Sequence, residues 1–281
     1  MRHQSEKQGD RVSKRLGLIT IVLCVSAGVA GCGGGTNELT GSGLGSGTGN
    51  GSGSSTVNAS PGGVWKGTES VSGAQVSGIA DEVGDFYFER SDGVVYAGTA
   101  TTSGNSLSAT FDGYVLNGNA FPDGTNHGTG TLSGAIKART SITATTQFRT
   151  DGGNSSTGSL SLNFDSLYNS VSSLTTISGN FTNPADGSVV TIDSNGTIFS
   201  QNAKSGCVLN GTIYIINANY NAYRVVFQLS SCTGQSFDLN GVQFTGLATL
   251  DTSVTPQAVF VGVTGSSGSV KYALAYNLNR S

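Results

Sequence analysis

Histidine is almost missing from this chain. Of 281 residues two are histidine, His3 and His127, and only His127 lies beyond residue 31. The commonest general base at neutral pH is therefore nearly absent, which leaves little room for serine or cysteine hydrolysis of the His-assisted kind. Charge is also scarce, at 11% of residues. Five of the fourteen Lys/Arg and two of the seventeen Asp/Glu fall in the first 31 residues, leaving nine against fifteen and a net charge of −6 for the remainder. A mildly acidic chain with no Lys/Arg cluster is a poor nucleic-acid binder, so no nucleic-acid partner is expected. Nor does it have the polybasic face that holds a protein on anionic lipid. Beyond Cys32 only Cys207 and Cys232 remain, too few ligands for a structural zinc site, and no metal or cofactor site is expected. The longest apolar stretch, Leu16 to Val29, falls short of the roughly 20 residues that span a bilayer.

What is present begins with an address. Arg2, Lys7, Arg11, Lys14 and Arg15 precede the apolar stretch, and small residues end it in Val29-Ala30-Gly31-Cys32. A basic end, a short apolar core and a small-residue cleavage site describe a secretory signal over residues 1–31. Val-Ala-Gly-Cys is similar to a lipobox, which implies cleavage after Gly31 and lipidation of Cys32. Multiple acyl chains on one residue anchor stably without a transmembrane helix. Gly33 stands where Asp commonly retains such proteins in the inner membrane, so the resemblance implies the outer membrane, with the periplasmic or surface face left open. Residues 32–62 are the lipidated Cys and a Gly/Ser-rich tether that cannot bury enough apolar surface to order itself. Its root-mean-square span is roughly 30 Å. Gly41, Gly43 and Gly45 superficially suggest a phosphate loop, but no strand precedes them and no helix follows.

From Val64 onward apolar and polar residues alternate: Leu107, Ala109, Phe111; Leu160, Leu162, Phe164; Val225, Phe227, Leu229; Phe244, Ala248, Leu250; Tyr272, Leu274, Tyr276, Leu278. This period of two buries one face of a strand. Asp-Gly and Asn-Gly pairs punctuate the pattern, among them Asp92-Gly93, Asp112-Gly113, Asp123-Gly124, Asp186-Gly187, Asn195-Gly196, Asn210-Gly211 and Asn240-Gly241. They supply hairpin turns, and some mark bulges inside strands. Asp165 to Leu174 is the one plausible helical stretch. The expected fold is all-β, an antiparallel meander closing as a lipocalin-like barrel or packing as a sandwich. Phe86, Gly98, Thr99 and Tyr114 recur 113 residues on as Phe199, Gly211, Thr212 and Phe227. That echo suggests two tandem eight-stranded units, 63–174 and 175–281; one large two-layer domain is the other arrangement. Alternation would also permit strands that span the outer membrane, but the lipobox, the tether and the polar C-terminus argue against it.

Candidate chemistry is thin, and no catalytic residue is assigned. His127 lies in Pro122-Asp123-Gly124-Thr125-Asn126-His127-Gly128 and reads as a solvated turn residue. Asp81, Glu82, Asp85 and Glu89 are the densest acidic group and read as a solvated strand end, although two facing carboxylates would suit glycoside hydrolysis. Asp193-Ser194-Asn195-Gly196 is a hairpin turn rather than a calcium loop, whose twelve-residue pattern it does not complete. Trp65 reads as a barrel plug of the calycin kind. Tyr214, Tyr220 and Tyr223 suit either a polar contact surface or an ordinary hairpin. Cys207 and Cys232, an even pair in an oxidising compartment, are expected to form a disulfide. Closing that loop would stabilise the fold by about 3.5 kcal/mol in the chain-entropy model.

A lipidated Cys32, a Gly-rich tether and a β domain together resemble Gram-negative surface lipoproteins with β-barrel domains, including the factor-H-binding and transferrin-binding classes. The stretch Thr191-Ile192-Asp193-Ser194-Asn195-Gly196-Thr197-Ile198-Phe199, leading to Gly206-Cys207 and Cys232, is similar to a group of uncharacterised proteobacterial lipoproteins. The resemblance implies an address and carries no functional residue. The expected function is a non-enzymatic binding or structural role in the cell envelope, with the membrane engaged through the lipid on Cys32 and a protein or small apolar ligand as partner. Which residues bind a ligand is unknown from the sequence. The alternative is an envelope hydrolase acting on glycan or peptide.

Overall fold

The computed structural model describes residues 57–281 except 117 and 118, together with the residue pair Cys24–Val25. Cys32 and most of the signal and tether lie outside the described residues. The described chain is all-β, with two closed antiparallel barrels of eight strands and almost no helix. Of the two arrangements left open by the sequence, the tandem one is realised. The pair Cys24–Val25 forms β1, a short addition against Val270 and Lys271.

The first barrel is a meander of β2 (Gly63–Glu69), β3 (Gln75–Ala80), β4 (Asp85–Arg90), β5 (Val94–Ser103), β6 (Ser106–Val115), β7 (His127–Lys137), β8 (Ser141–Thr150) and β9 (Ser155–Asp165). It closes where β9 pairs with β2, Phe164 opposite Trp65. The second is a meander of β10 (Gly179–Thr182), β11 (Val189–Ile192), β12 (Thr197–Gln201), β13 (Val208–Ile215), β14 (Tyr223–Ser230), β15 (Gln243–Asp251), β16 (Ala258–Ser267) and β17 (Val270–Arg280). It closes with Arg280 opposite Phe181. Closure of the first barrel leaves it no free edge, whereas the second closes through only two residue pairs, so the start of β17 keeps a free flank on which β1 pairs.

The alternating residues named above are the ones that line the two lumens. Asp92-Gly93, Asp123-Gly124, Asp186-Gly187, Asn195-Gly196 and Asn240-Gly241 place glycine at positive φ in turns, whereas Asp112-Gly113 and Asn210-Gly211 lie inside β6 and β13. The expected helix over Asp165 to Leu174 is replaced by a 3-10 turn, Ser166–Asn169, and a four-residue helix α1, Leu174–Ile177. Both are capped by side chains: Asp165 accepts from the Leu167 N–H and Ser173 from the Thr176 N–H. The Ser- and Asn-rich stretch between them favours caps over a continuous helix.

The repeat is real, but its register differs from the sequence echo. The turn between the second and third strands of each barrel is the same object. Asp81 accepts backbone bonds from Gly84 and Asp85, and Asp193 from Asn195 and Thr197. Gly84 and Gly196 both stand at positive φ with a carbonyl about 2 Å from where a Cβ would be, so only glycine fits at either place. The shift between these turns is thus 112 rather than 113. Phe86 pairs with Gly98 and is buried, at 4% exposed; Phe199, its counterpart in the echo, is 48% exposed. The residue opposite Gly211 is Ile198. Tyr114 and Phe227 likewise face different surroundings, since Tyr114 packs between the barrels and Phe227 inside the second one.

A third apolar cluster joins the barrels. Ile79, Tyr87, Val95, Ala97 and Tyr114 from outer faces of the first pack on Ala222, Leu247 and Ala273 of the second. Strand β4 crosses β14 to β17 in turn. Asp85 meets Arg224 at 3.0 Å, the Tyr87 hydroxyl donates to the Thr245 carbonyl at 3.0 Å, and Asn277 donates to Glu89 at 2.9 Å. Gly262 makes the approach possible, because a Cβ there would lie 2.6 Å from the Tyr87 Cβ.

These contacts orient the barrels. Asp81 and Asp85 lie at the pole of the first barrel where residue 57 enters, and Arg224 lies at the start of β14, beside the loop 216–222. Towards the other pole, Asp112 pairs with Lys271 at 2.9 Å.

Candidate functional site

Each barrel is plugged at the tether pole. In the first, Trp65 is fully buried, its indole N–H donates to the Pro61 carbonyl at 3.0 Å, and Phe164 meets it edge-on at 5.5 Å. In the second, Phe181 and Ile177 are fully buried, and the Arg280 guanidinium lies 4.8 Å over the Phe181 ring while donating to the Ser178 and Thr176 carbonyls. The barrels differ at the opposite pole.

The first mouth is a wide vestibule of about 550 Å³. Aromatic rings floor it: Phe111 and Phe148 stack at 6.1 Å, with Tyr96 5.0 Å from Phe111. Its charged walls are occupied with one another. Glu69 accepts from the Val71 N–H and the Ser72 hydroxyl and pairs with Arg90 at 3.5 Å; Arg90 in turn donates to Tyr96 and Asp92. A network satisfied in this way rigidifies the rim and leaves no charge aimed at a guest.

The second mouth leads to a narrower hollow of about 90 Å³ running into the lumen. Its walls are mainly aliphatic, with Ile192, Ile198, Ile213, Leu229, Val261 and Leu274 beside the Phe227 ring. The rim is polar. Asp186 accepts from Ser188 and Asn202, and Ser200 donates to the Val189 carbonyl at 2.8 Å. Cys207 and Cys232 are joined across the ends of β13 and β14, with Cα atoms 4.0 Å apart, and Cys207 lines the hollow. Two polar groups in the lining differ from the rest. Tyr276 shares the inward parity of Tyr272, Leu274 and Leu278 and lines the hollow, and its hydroxyl has no hydrogen-bond partner among the described residues. Burial, and then the Asp186 carboxylate, push that hydroxyl well above the usual phenol range, so it stays protonated. Asn183 accepts through its side-chain oxygen from the Ala185 N–H, while its amide nitrogen has no protein partner among the described residues.

The other residues singled out in the sequence are dispersed. His127 is a correction: it is 2% exposed, not solvated, and it opens β7 rather than sitting in the turn. Its Nδ1 lies 2.9 Å from Asp151 and its Nε2 3.0 Å from Asp112, which also holds Lys271. Burial works against a charged imidazole, but the hydrogen bonds to Asp112 and Asp151 outweigh it and hold the pKa above the usual value. The acidic group is likewise no open strand end. Asp81 is 1% exposed and grips Arg224 at 2.6 Å, and Glu82 accepts from Tyr168 and Arg139. Burial and the adjacent Asp85 carboxylate push Asp81 above the usual carboxylate range, against the pull of Arg224. Tyr214 is exposed, Tyr220 stacks on Tyr168 at 5.1 Å, and Tyr223 bonds the backbone of Ser173, so the three tyrosines form no common surface. Sequence reasoning placed Tyr276 on an inward face but could not single it out, because its lack of a partner depends on seven other strands.

No protein-family model matches the chain, and no curated protein sequence matches it. Among solved structures, a Bacteroides fragilis protein provisionally classed as an outer membrane protein aligns over 78% of this chain and 97% of its own length. The identity is 10% and the TM-score 0.27, a likeness that carries no argument about fold or function.

Proposed function

We propose that this chain is an envelope lipoprotein, anchored to the outer membrane through Cys32, whose second barrel binds a small apolar ligand without transforming it. The observation that carries the reading is the mainly aliphatic hollow of that barrel, opening through a polar rim braced by Cys207–Cys232. Convergent polar groups on an apolar cavity are the usual form of a small-molecule site. The outer faces of β7 to β9 support a barrel that stands in water. Ser133, Thr143, Thr145, Thr157, Ser159 and Ser161 point outward there, where a spanning barrel presents an apolar band.

The hydrolase alternative has less support. The acidic cluster engages Arg224, Arg139 and Tyr168, and the one histidine of the barrels is enclosed by Asp112, Asp151 and Lys271.

Xenon tests the hollow directly. With the mature chain under xenon pressure, methyl resonances of Ile192, Ile213, Leu229 and Val261 should shift saturably, and those of the first barrel's Ile142 and Leu160 should not. Absence of any saturable shift at the first group would defeat the ligand-binding reading. The anchor is tested separately: a labelled fatty acid should enter the wild type and not Cys32→Ala, and equal labelling of the two would defeat it.

A further inference from the structure

The chemical class of the guest can be read from the two polar groups that the barrel leaves open. Neither is among the buried atoms without a partner, so each can keep a water in the hollow; a guest that displaces that water without pairing the donor loses on the order of 1–3 kcal/mol, and one that pairs it is favoured. The Asn183 amide nitrogen can only donate, and the Tyr276 hydroxyl can donate as well as accept. Asn183 has its oxygen committed to the Ala185 N–H, which fixes the amide nitrogen as the free end. Tyr276 is protonated, because burial and Asp186 disfavour the phenolate. The two are close in the barrel wall: β10 pairs with β17 through Thr182 and Asn279, which puts Asn183 one position beyond the ladder, beside the inward-facing row of Tyr276 and Leu278. Every other hydrogen-bonding group named on the rim has a protein partner. Both groups can donate and only Tyr276 can accept, so the site favours an acceptor.

Charge narrows the class further. The charged side chains at the rim are Asp186 and the exposed Lys204, between Asn202 and Ser205, and there is no cation among the residues lining the hollow itself. An anionic guest would lose its hydration, gain no counter-charge within the hollow and meet Asp186 at the mouth. Size sets the last limit. A cavity of about 150 Å³ takes benzene, so by proportion 90 Å³ takes about four heavy atoms, with any remainder of the molecule at or outside the rim.

We propose that the second barrel recognises an uncharged carbonyl compound, the acyl end of a ketone, ester or amide with a short aliphatic group, its oxygen accepting from Tyr276 and Asn183. This rests on the reading of that barrel as a ligand site and deepens it.

Three probes of matched shape separate the possibilities. Butanone, 2-methyl-1-butene and propanoate each carry five heavy atoms around one trigonal carbon; the first is a neutral acceptor, the second apolar, the third an anion. Their dissociation constants are read from methyl shifts of Ile213 and Val261 in the mature wild-type chain, in Tyr276→Phe and in Asn183→Asp. Tyr276→Phe removes a hydroxyl that bonds nothing in the protein, and Asn183→Asp keeps the oxygen that holds the Ala185 turn, so both variants retain the fold. Butanone should bind five- to tenfold more weakly to each variant, 2-methyl-1-butene, which leaves the donors unpaired, should bind Tyr276→Phe at least as tightly as the wild type, and propanoate should show no saturable binding. If the alkene binds and butanone is indifferent to both substitutions, the carbonyl inference fails while the apolar site stands. Propanoate binding as tightly as butanone overturns the requirement for a neutral guest. If neither butanone nor the alkene binds, the reading of the barrel as a ligand site falls with it.

Discussion

The two barrels share topology, a plugged tether pole and even the same Asp-x-x-Gly turn, yet they differ at the mouth. The first is floored by Tyr96, Phe111 and Phe148 and walled by paired charges; the second is mainly aliphatic, hollow and closed at its rim by a disulfide. An eight-stranded barrel is just wide enough for side chains to fill it or to leave room for one small guest. Which happens depends on where the inward-facing rings stand and what fills the space between them. Three aromatic residues occupy the upper lumen of the first barrel. The second barrel has rings of its own, Phe227, Phe244 and Tyr272, packed on one another, and its hollow is lined by Phe227 together with Ile192, Leu229, Val261 and Tyr276. The first mouth is the wider, at about 550 Å³ against about 90 Å³, but its charges are paired with one another; under the proposed reading it is the support and the second barrel the container.

The largest effect that would break this comparison is at the plug of the first barrel. Trp65→Ala removes a fully buried ring and its bond to Pro61. It should cost about 4 kcal/mol, in the range for aromatic-to-alanine cavities. Urea titration followed by circular dichroism gives the loss, and hydrogen exchange gives its location. Amides of β2 to β9 should lose protection while those of β10 to β17 keep theirs. Equal loss in both barrels would show that they unfold as one unit across the seam, and the contrast drawn between a support and a container would lose its energetic basis.

The inner faces were legible in the sequence and the seam was not, for a physical reason. A lumen position recurs at every second residue, so Leu107-Ala109-Phe111 and Tyr272-Leu274-Tyr276-Leu278 declare themselves. The seam uses the opposite parity of the same strands. There Val95, Ala97, Ala273 and Gly262 interrupt what would otherwise be a polar face, and small residues at a contact look like small residues in solvent. The disulfide was legible because only two cysteines remained to pair. The burial of His127 was not, since its carboxylate partners lie 15 residues before and 24 after it, and Lys271, which joins them through Asp112, lies in the other barrel.

That histidine sharpens the comparison through pH, because it sits where the first barrel meets the second. Its folded pKa is raised above 6.5, so its stabilising contribution is fully present below about pH 6.5 and is lost as pH rises through the higher folded value. Asp112 has a folded pKa lowered from 3.8 by His127 and Lys271. Its contribution is present above 3.8 and is lost as pH falls through the lower folded value. The cluster should therefore hold the seam best between about pH 4 and 6.5. His127→Ala should cost about 2 kcal/mol at pH 5.5, as for a charge-assisted hydrogen bond, and clearly less at pH 9. Thermal denaturation at the two pH values checks this. A cost that is the same at both would mean that the imidazole is held neutral and that the seam carries no pH dependence through it.

The smallest effect tests whether the second barrel is hollow where it is said to be. Two hydroxyls in that barrel have no protein partner among the described residues, and their surroundings differ. Thr249 is buried on the outer parity of β15, beside Phe260 on the neighbouring strand, and its hydroxyl is enclosed by packed atoms. The Tyr276 hydroxyl lies on the hollow. A hydroxyl enclosed by apolar atoms has lost its water and gained nothing, whereas one on a cavity open to the mouth can keep a water as partner. Thr249→Val keeps the shape of the side chain and removes the orphaned group, and should stabilise the protein by about 1 kcal/mol. Tyr276→Phe, measured without any guest, should change stability by less than about 0.5 kcal/mol, because the water it releases balances the hydroxyl it loses. The comparison needs both variants in the same denaturant titration. If Tyr276→Phe stabilises as much as Thr249→Val, the phenol is as tightly enclosed as the threonine, the lumen around it is packed, and the second barrel is a support like the first.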